Sequence, residues 1–323
     1  MRIRRAGLVV AGLLVWAGLL SLPRANALTF EGQGGDHSSR KTKRGVARPI
    51  IVPVGIKVRG AGQEEIRSVD LNVTEDGEAQ TMLSLRYDSP LSLAILIQDD
   101  LVSTVSLEIK ALREFIVKLP KGTRVMVGYI RSGSLEVRQK FTADLDKAAS
   151  QLRTPIAAAS AAPYNPYVEV LEGLSRFDAQ PAGRRAMLLV SDGLDTSRGT
   201  DSSEPTQSVD LQRAINQAQR RSVAVYCFYA PSVVLAATNN QFLIGNGQSS
   251  LERLSSQTGG KAFFQGTGAP VSFNPFLADL GEYLDRQFAL SYLSTHGNKG
   301  FHRLQIRSAT NAVDLLYPAG HTK

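Results

Sequence analysis

Two short acidic stretches each follow an apolar run. Gln98-Asp99-Asp100-Leu101-Val102-Ser103-Thr104 comes directly after Leu91–Ile97 (LSLAILI), and Ser191-Asp192-Gly193-Leu194-Asp195-Thr196 directly after Ala186–Val190 (AMLLV). Carboxylate and hydroxyl oxygens at the ends of strands can hold a hard cation such as Mg²⁺ or Ca²⁺; the same residue types also cap helix amino termini or face water. Asp99, Asp100, Ser103 and Asp192 are among the oxygen-bearing side chains that these stretches offer. Other chemistry is poorly provided for. The chain has no G-x-S-x-G elbow, no H-E-x-x-H and no phosphate-binding glycine loop. Its single cysteine, Cys227, lies in the apolar run Val223–Phe228 and reads as a small buried hydrophobe. One cysteine also excludes a disulfide framework and a cysteine-rich zinc site. Of four histidines, His37 and His321 fall in polar terminal stretches, while His296 and His302 bracket a Gly297–Gly300 turn as exposed hairpin residues or a weak metal pair. No catalytic residue and no obligatory cofactor are expected.

The elements that would position these loops follow from periodicity. Leu91–Ile97, Ala186–Val190 and Val223–Phe228 are nearly continuous apolar runs, as expected of strands covered on both faces of a parallel sheet. Between them, Val105, Ile109, Leu112, Ile116 and Leu119 recur at helical steps, and Val168–Phe177, Val209–Arg220, Leu251–Thr258 and Phe276–Arg286 read as further helices. Val125–Ile130 and Leu135–Phe141 are additional strands. The alternation implies a doubly wound, mostly parallel α/β sheet over residues 89–287, whose ligands bind at the carboxyl ends of its strands. Short β segments flank it at 49–88 and 288–323; neither is large enough to fold alone, and the two are expected to pair into a small β subdomain.

The S-D-G-x-D-T stretch after a buried strand, with Ser256-Gln257-Thr258-Gly259-Gly260-Lys261-Ala262-Phe263 further on, resembles a von Willebrand factor type A domain. Asp70–Gln80 (DLNVTEDGEAQ), Ser89–Leu96 (SPLSLAIL) and Phe288–Leu293 (FALSYL), in that order, are similar to the secreted bacterial "VWFA-related" subfamily, and the likeness runs from Ile50 to Ile306. The resemblance implies a noncatalytic protein-interaction module, in adhesion or envelope assembly. Family members with a metal-ion-dependent adhesion site carry D-x-S-x-S after the first strand, a Thr in a second loop and an Asp in a third. Here the D, S and S positions fall on Gln98, Asp100 and Val102, or, one residue later, on Asp99, Leu101 and Ser103. Pro163–Tyr167 supplies no Thr, and only Asp192 carries over cleanly. Set against that pattern, a degenerate, metal-free site is the expectation; the alternative the resemblance implies is a weak, nonstandard Mg or Ca site of Asp99, Asp100, Ser103 and Asp192 that binds a partner carboxylate. The binding rim is expected to comprise Asp99, Asp100, Ser103, Tyr164, Asn165, Tyr167, Asp192, Asp195 and Thr196, with the tyrosines either offering contact area or packing over the sheet edge. The polar segments Asp195–Ser208 and Ala230–Ser250 would frame it.

The charge is distributed unevenly. The 323-residue chain carries 37 Lys+Arg against 29 Asp+Glu, a formal +8 that by itself suggests nucleic acid or an acidic surface as partner. Residues 1–27 have the order of a secretory signal peptide: Arg2, Arg4 and Arg5, then an apolar run from Ala6 to Leu20, then Ala25-Asn26-Ala27. An uncleaved membrane anchor is the alternative. This segment holds four arginines and no acid, so +8 becomes +4 without it. Residues 28–48, a Gly/Ser-rich linker with Arg40, Lys41, Lys43, Arg44 and Arg48 against Glu31 and Asp36, hold +3 of that remainder. The body is left near neutral. Nucleic acid is thus not an expected partner; export is expected, with the linker free to adhere to an anionic envelope surface.

Overall fold

The computed structural model describes residues 44–58, 71–309 and 313–323. The expected signal segment 1–27 and most of the linker 28–48 lie outside these residues.

The centre of the molecule is a six-stranded sheet of β5 (Ser92–Gln98), β6 (Arg124–Arg131), β7 (Ser134–Thr142), β8 (Arg185–Ser191), β9 (Ala224–Tyr229) and β10 (Ala262–Phe263). Its order is β10-β9-β8-β5-β6-β7; the β10–β9, β9–β8, β8–β5 and β5–β6 pairs are parallel, and only β7 is antiparallel to its neighbour. This is a doubly wound order, with the switch of direction between β5 and β8. Every residue of β5 is buried, and its two faces feed different cores. Leu93, Ile95 and Ile97 pack with α1 (Val105–Val117) and α7 (Asn274–Asp285). Ala94 and Leu96 pack with α3 (Pro166–Ser175), α4 (Val209–Arg221) and α6 (Gln241–Thr258). Truncating a fully buried side chain such as Ile95 to Ala costs about 2–5 kcal/mol here.

The flanking strands form two four-stranded antiparallel sheets. One has the order β13 (Val313–Leu316), β1 (Arg44–Val58), β11 (Phe288–His296), β4 (Thr81–Arg86); the other runs β14 (Gly320–Thr322), β12 (Phe301–Ser308), β2 (Leu71–Glu75), β3 (Glu78–Ala79). Val52, Val54 and Leu290 from the first sheet and Val73, Leu304 and Ile306 from the second share one buried cluster, so the sheets pack face to face. Each sheet joins strands from both ends of the chain, with β1 on β11 and β2 on β12. Arg184 fastens this sandwich to the α/β sheet, its guanidinium donating to the carbonyls of Tyr87 and Ser89 (3.2 and 3.4 Å) and to that of Leu284.

Three expectations need correction. β1 starts at Arg44, inside the stretch read as linker 28–48, because its backbone pairs with β11 as far as Arg44 opposite His296. Ala230–Ser250 frames the rim with helices and is less polar than its composition suggests: it contains α5 (Val233–Thr238) and most of α6. Asn240 caps α6 by accepting from Phe242 N and Leu243 N, and Ile244, Leu251 and Leu254 give the helix its buried side. The His296–His302 connection is no exposed hairpin, since β11 and β12 belong to different sheets, and His302 is buried.

Candidate functional site

Asp100 and Asp192 sit at the switch point, just beyond the carboxyl ends of β5 and β8. Between them stands Gln98, the last residue of β5. Its Nε2 donates to Asp100 Oδ1 at 2.8 Å, while its Oε1 accepts from Ser191 Oγ at 2.5 Å and from the Asp192 amide at 3.3 Å. Ser191 Oγ also accepts from Gly193 N, and Asp192 Oδ1 accepts from Leu194 N at 3.1 Å. Both carboxyls are almost fully buried, at 2% and 4% exposed. Burial, reinforced by the charge of Asp192, pushes the Asp100 carboxyl up to about 7. Burial also raises Asp192, against the hydrogen bonds it receives from Leu194 and Ser232. Both carboxyls are thus harder to ionise than in water, and they are held by amide and hydroxyl groups.

Asp99 points elsewhere. Its side chain is fully buried and receives both guanidinium nitrogens of Arg153, at 2.6 and 2.8 Å, and the Ile156 amide at 3.0 Å. Arg153 in turn lies 3.9 Å over the Tyr129 ring and reaches Glu136 at 3.1 Å. As a rim residue or metal ligand Asp99 is thus a correction: a buried carboxylate with a bidentate arginine is already neutralised. Ser103 is exposed, in the turn that enters α1. Tyr167 is a second correction, completely buried with its hydroxyl donating to the Gly193 carbonyl at 2.7 Å. Asn165 is half-buried and caps α3, accepting from Tyr167 N and donating to Asp210. Asp195 organises its own loop, accepting from Ser197 and from Ser208 Oγ. Thr196 donates its amide to the Tyr164 carbonyl at 2.8 Å. Tyr164 itself is 75% exposed and stands out from the rim.

The donors at the switch point do not match a Mg²⁺ shell of six oxygens in near-octahedral array. Two carboxyls are present, one tied to the Gln98 amide; Asp99 is committed to Arg153, and Val102 packs against the apolar core where a hydroxyl would be needed.

The rim has another property. Thirteen large apolar side chains stand exposed among the described residues, and nine of them lie at this end of the sheet. Ile156, Tyr164, Phe264 and Val271 are on its loops. Leu107, Val168, Val209, Val234 and Phe242 occupy the first turns of α1, α3, α4, α5 and α6, whose amino termini all face the strands' carboxyl ends. Solitary exposed apolar residues are ordinary; their concentration at one end is not.

A second cluster contains the His296–His302 pair that the sequence offers as a weak metal pair, together with two residues the sequence does not connect to it. Glu75, from the Asp70–Gln80 stretch, is fully buried, and His296, His302 and His321 gather around it. The readable signal was in β12, where His302 shares the inward parity of Leu304 and Ile306.

No protein-family model matches the chain, and no curated protein does. Solved structures similar to it include the von Willebrand factor type A protein of Catenulispora acidiphila, at 12% identity and a TM-score of 0.42, over 85% of this chain and 74% of that one. An aerotolerance-related membrane protein of Bacteroides fragilis is 12% identical with a TM-score of 0.42, over 60% of this chain and 98% of that one. The human COPII-coat protein Sec24c is 12% identical with a TM-score of 0.44 over 72% of this chain, which spans only 44% of Sec24c. Among the described residues no helix is long and apolar enough to cross a membrane. The sheet order, with its one antiparallel edge strand and S-D-G-x-D-T placed directly after β8, gives the α/β part a von Willebrand factor type A-type fold.

Proposed function

We propose that this chain is a noncatalytic protein-interaction module that holds a partner protein on the rim at the carboxyl ends of its sheet strands, without a standard Mg²⁺ site. The observation that carries this reading is the concentration of exposed apolar side chains on that rim, above carboxyls already satisfied by the chain's own groups. Protein interfaces are built around such aromatic and aliphatic anchors, surrounded by polar residues. Export by residues 1–27 and adhesion of the basic stretch to an anionic envelope surface belong to the same proposal.

The test uses the protein as bait in envelope extract, with Tyr164→Glu/Phe242→Glu as the rim variant. Val117→Glu, at the far end of α1, is the control for an exposed apolar side chain elsewhere. Capture of one defined partner should fall at least tenfold with the rim variant and persist with the control and in chelator. Equal capture by rim variant and control overturns the proposal. Capture lost both in chelator and in Asp192→Ala would replace it with metal-dependent adhesion.

A further inference from the structure

The inner face of the β sandwich is apolar along most of its length and polar at one end. In β2 the inward positions are Leu71, Val73 and then Glu75; in β12 they are His302, Leu304 and Ile306. In β11 the run Phe288, Leu290, Tyr292 continues at the same parity to Ser294 and His296, and β14 contributes the buried His321. Three of the chain's four histidines thus meet one buried glutamate. Side chains at such positions must be hydrogen-bonded or coordinated, because an unpaired buried polar atom is costly.

Here the pairing is incomplete. Glu75 Oε1 accepts from Ser294 Oγ at 3.0 Å, but Glu75 Oε2, His296 Nδ1 and His321 Nε2 are buried with no hydrogen-bond partner. All three belong to one small space. His296 Nδ1 is 3.7 Å from Glu75 Oε2, while His302 Nδ1 and His321 Nε2 are 3.7 and 3.5 Å from Oε1. Ligands of one tetrahedral zinc ion, each about 2.0–2.1 Å from it, stand about 3.3 Å apart. The far sides of the rings are oriented as metal-bound histidines usually are. His302 Nε2 faces the Asn298 carbonyl at 2.9 Å, and His321 Nδ1 faces the Tyr292 hydroxyl at 3.1 Å. Glu78 lies 3.7 Å from His296 Nε2.

We propose that Glu75, His296 and His302 bind a divalent transition-metal ion of the zinc class, with His321 as the fourth ligand, and that the ion pins the two sheets of the sandwich together. Imidazole with one carboxylate suits zinc and its neighbours rather than Mg²⁺ or Ca²⁺. Two present contacts must yield: His302 Nδ1 lies 2.8 Å from Asp76 Oδ2, and the Lys323 ammonium stands 3.9 Å from Glu75 Oε1. With Asp76 and Glu78 beside Glu75, the local charge still favours a cation. The site joins β2 to β11, β12 and β14, so the ion would act as a staple between the ends of the chain.

The full chain, stripped with chelator and dialysed, is titrated calorimetrically with Zn²⁺, and separately with Co²⁺ while its visible absorption is recorded. One ion per chain with micromolar or tighter affinity, intense tetrahedral cobalt bands and a rise in Tm of several degrees are expected. His296→Gln, at a position only partly buried, and Glu75→Gln should each weaken binding at least thirtyfold. His321→Gln should weaken it less and shift the cobalt bands. Asp192→Asn, in the rim, should bind as the wild type does. Absence of stoichiometric Zn²⁺ or Co²⁺ binding by the folded chain overturns the proposal. So does binding unchanged in both His296→Gln and Glu75→Gln, or binding lost in Asp192→Asn.

Discussion

Two buried acidic clusters occupy opposite chemical conditions in this molecule. At the switch point of the α/β sheet, Asp99, Asp100 and Asp192 each have partners from the chain: Arg153 for the first, the Gln98 amide for the second, and the Leu194 amide for the third. In the β sandwich, Glu75 and two histidines keep buried atoms with no partner. The first cluster lies where the fold leads one to look for a cation, and its own residues have closed it. The second lies where nothing in the fold suggests a ligand, yet its donors are unpaired. Partnered carboxylates in a conspicuous loop and unpaired donors in a strand core thus make opposite forecasts for an ion.

The comparison breaks most readily at Arg153. If Arg153 neutralises Asp99, Arg153→Leu leaves a fully buried carboxylate unpaired and should cost about 3–5 kcal/mol in urea unfolding at neutral pH. A loss under about 1 kcal/mol would mean that Asp99 is free to serve another cation. Asp100 gives the next largest effect. Its carboxyl rises from 3.8 to about 7 on folding, so its stabilising contribution is complete below about pH 4 and is lost as the pH climbs through 7. Asp100→Asn keeps an oxygen for Gln98 Nε2 and removes the titration. Relative to wild type it should gain about 2–4 kcal/mol between pH 4 and pH 8. A difference that does not change with pH would show that the pair is not desolvated.

Much of this was readable in advance, and the limits have physical causes. β5, β8 and β9 announce themselves as unbroken apolar runs because both of their faces are covered. The positions of Asp100 and Asp192 follow from those strands. The role of Asp99 does not, since its partner Arg153 is 54 residues away and reaches it only through the folded sheet. The first half of α6 hides behind a Gly-, Ser- and Gln-rich composition, because tertiary packing rather than propensity holds it. For Tyr167 the sequence leaves contact area and packing both open, and only the path of α3, which turns it beneath the Gly193 loop, decides for packing. The histidine cluster draws on positions 75, 296, 302 and 321, which only the β2–β12, β1–β11 and β12–β14 pairings bring together.

Gly247 sharpens the comparison from the helix side. A Cβ there would lie 2.2 Å from the Asp192 carbonyl oxygen, so the rim loop is seated directly on the backbone of α6. Gly247→Ala must push that loop outward and should cost about 1–3 kcal/mol, with a changed pH dependence from the disturbed carboxyl pair. The zinc affinity proposed for the sandwich should not move, because α6 meets the strand of His321 through Gln257 and Thr258, at its far end from the rim. If both properties shift together, the two clusters are one cooperative unit and cannot be treated separately.

The smallest effect on stability belongs to Tyr164, and for that reason it separates folding from binding most cleanly. The side chain is 75% exposed, and the contacts that Thr196 makes with this residue go to its backbone carbonyl, which every substitution retains. Tyr164→Ser should change the unfolding free energy by no more than about 0.5 kcal/mol, the range of ordinary surface substitutions. If the aromatic ring is an anchor for a partner, the same substitution should weaken capture by tenfold or more, about 1.4 kcal/mol or above. Stability and capture both unaffected would remove Tyr164 from the rim's working surface. A large loss of stability would instead assign the ring to packing over the loop edge, which its exposure argues against.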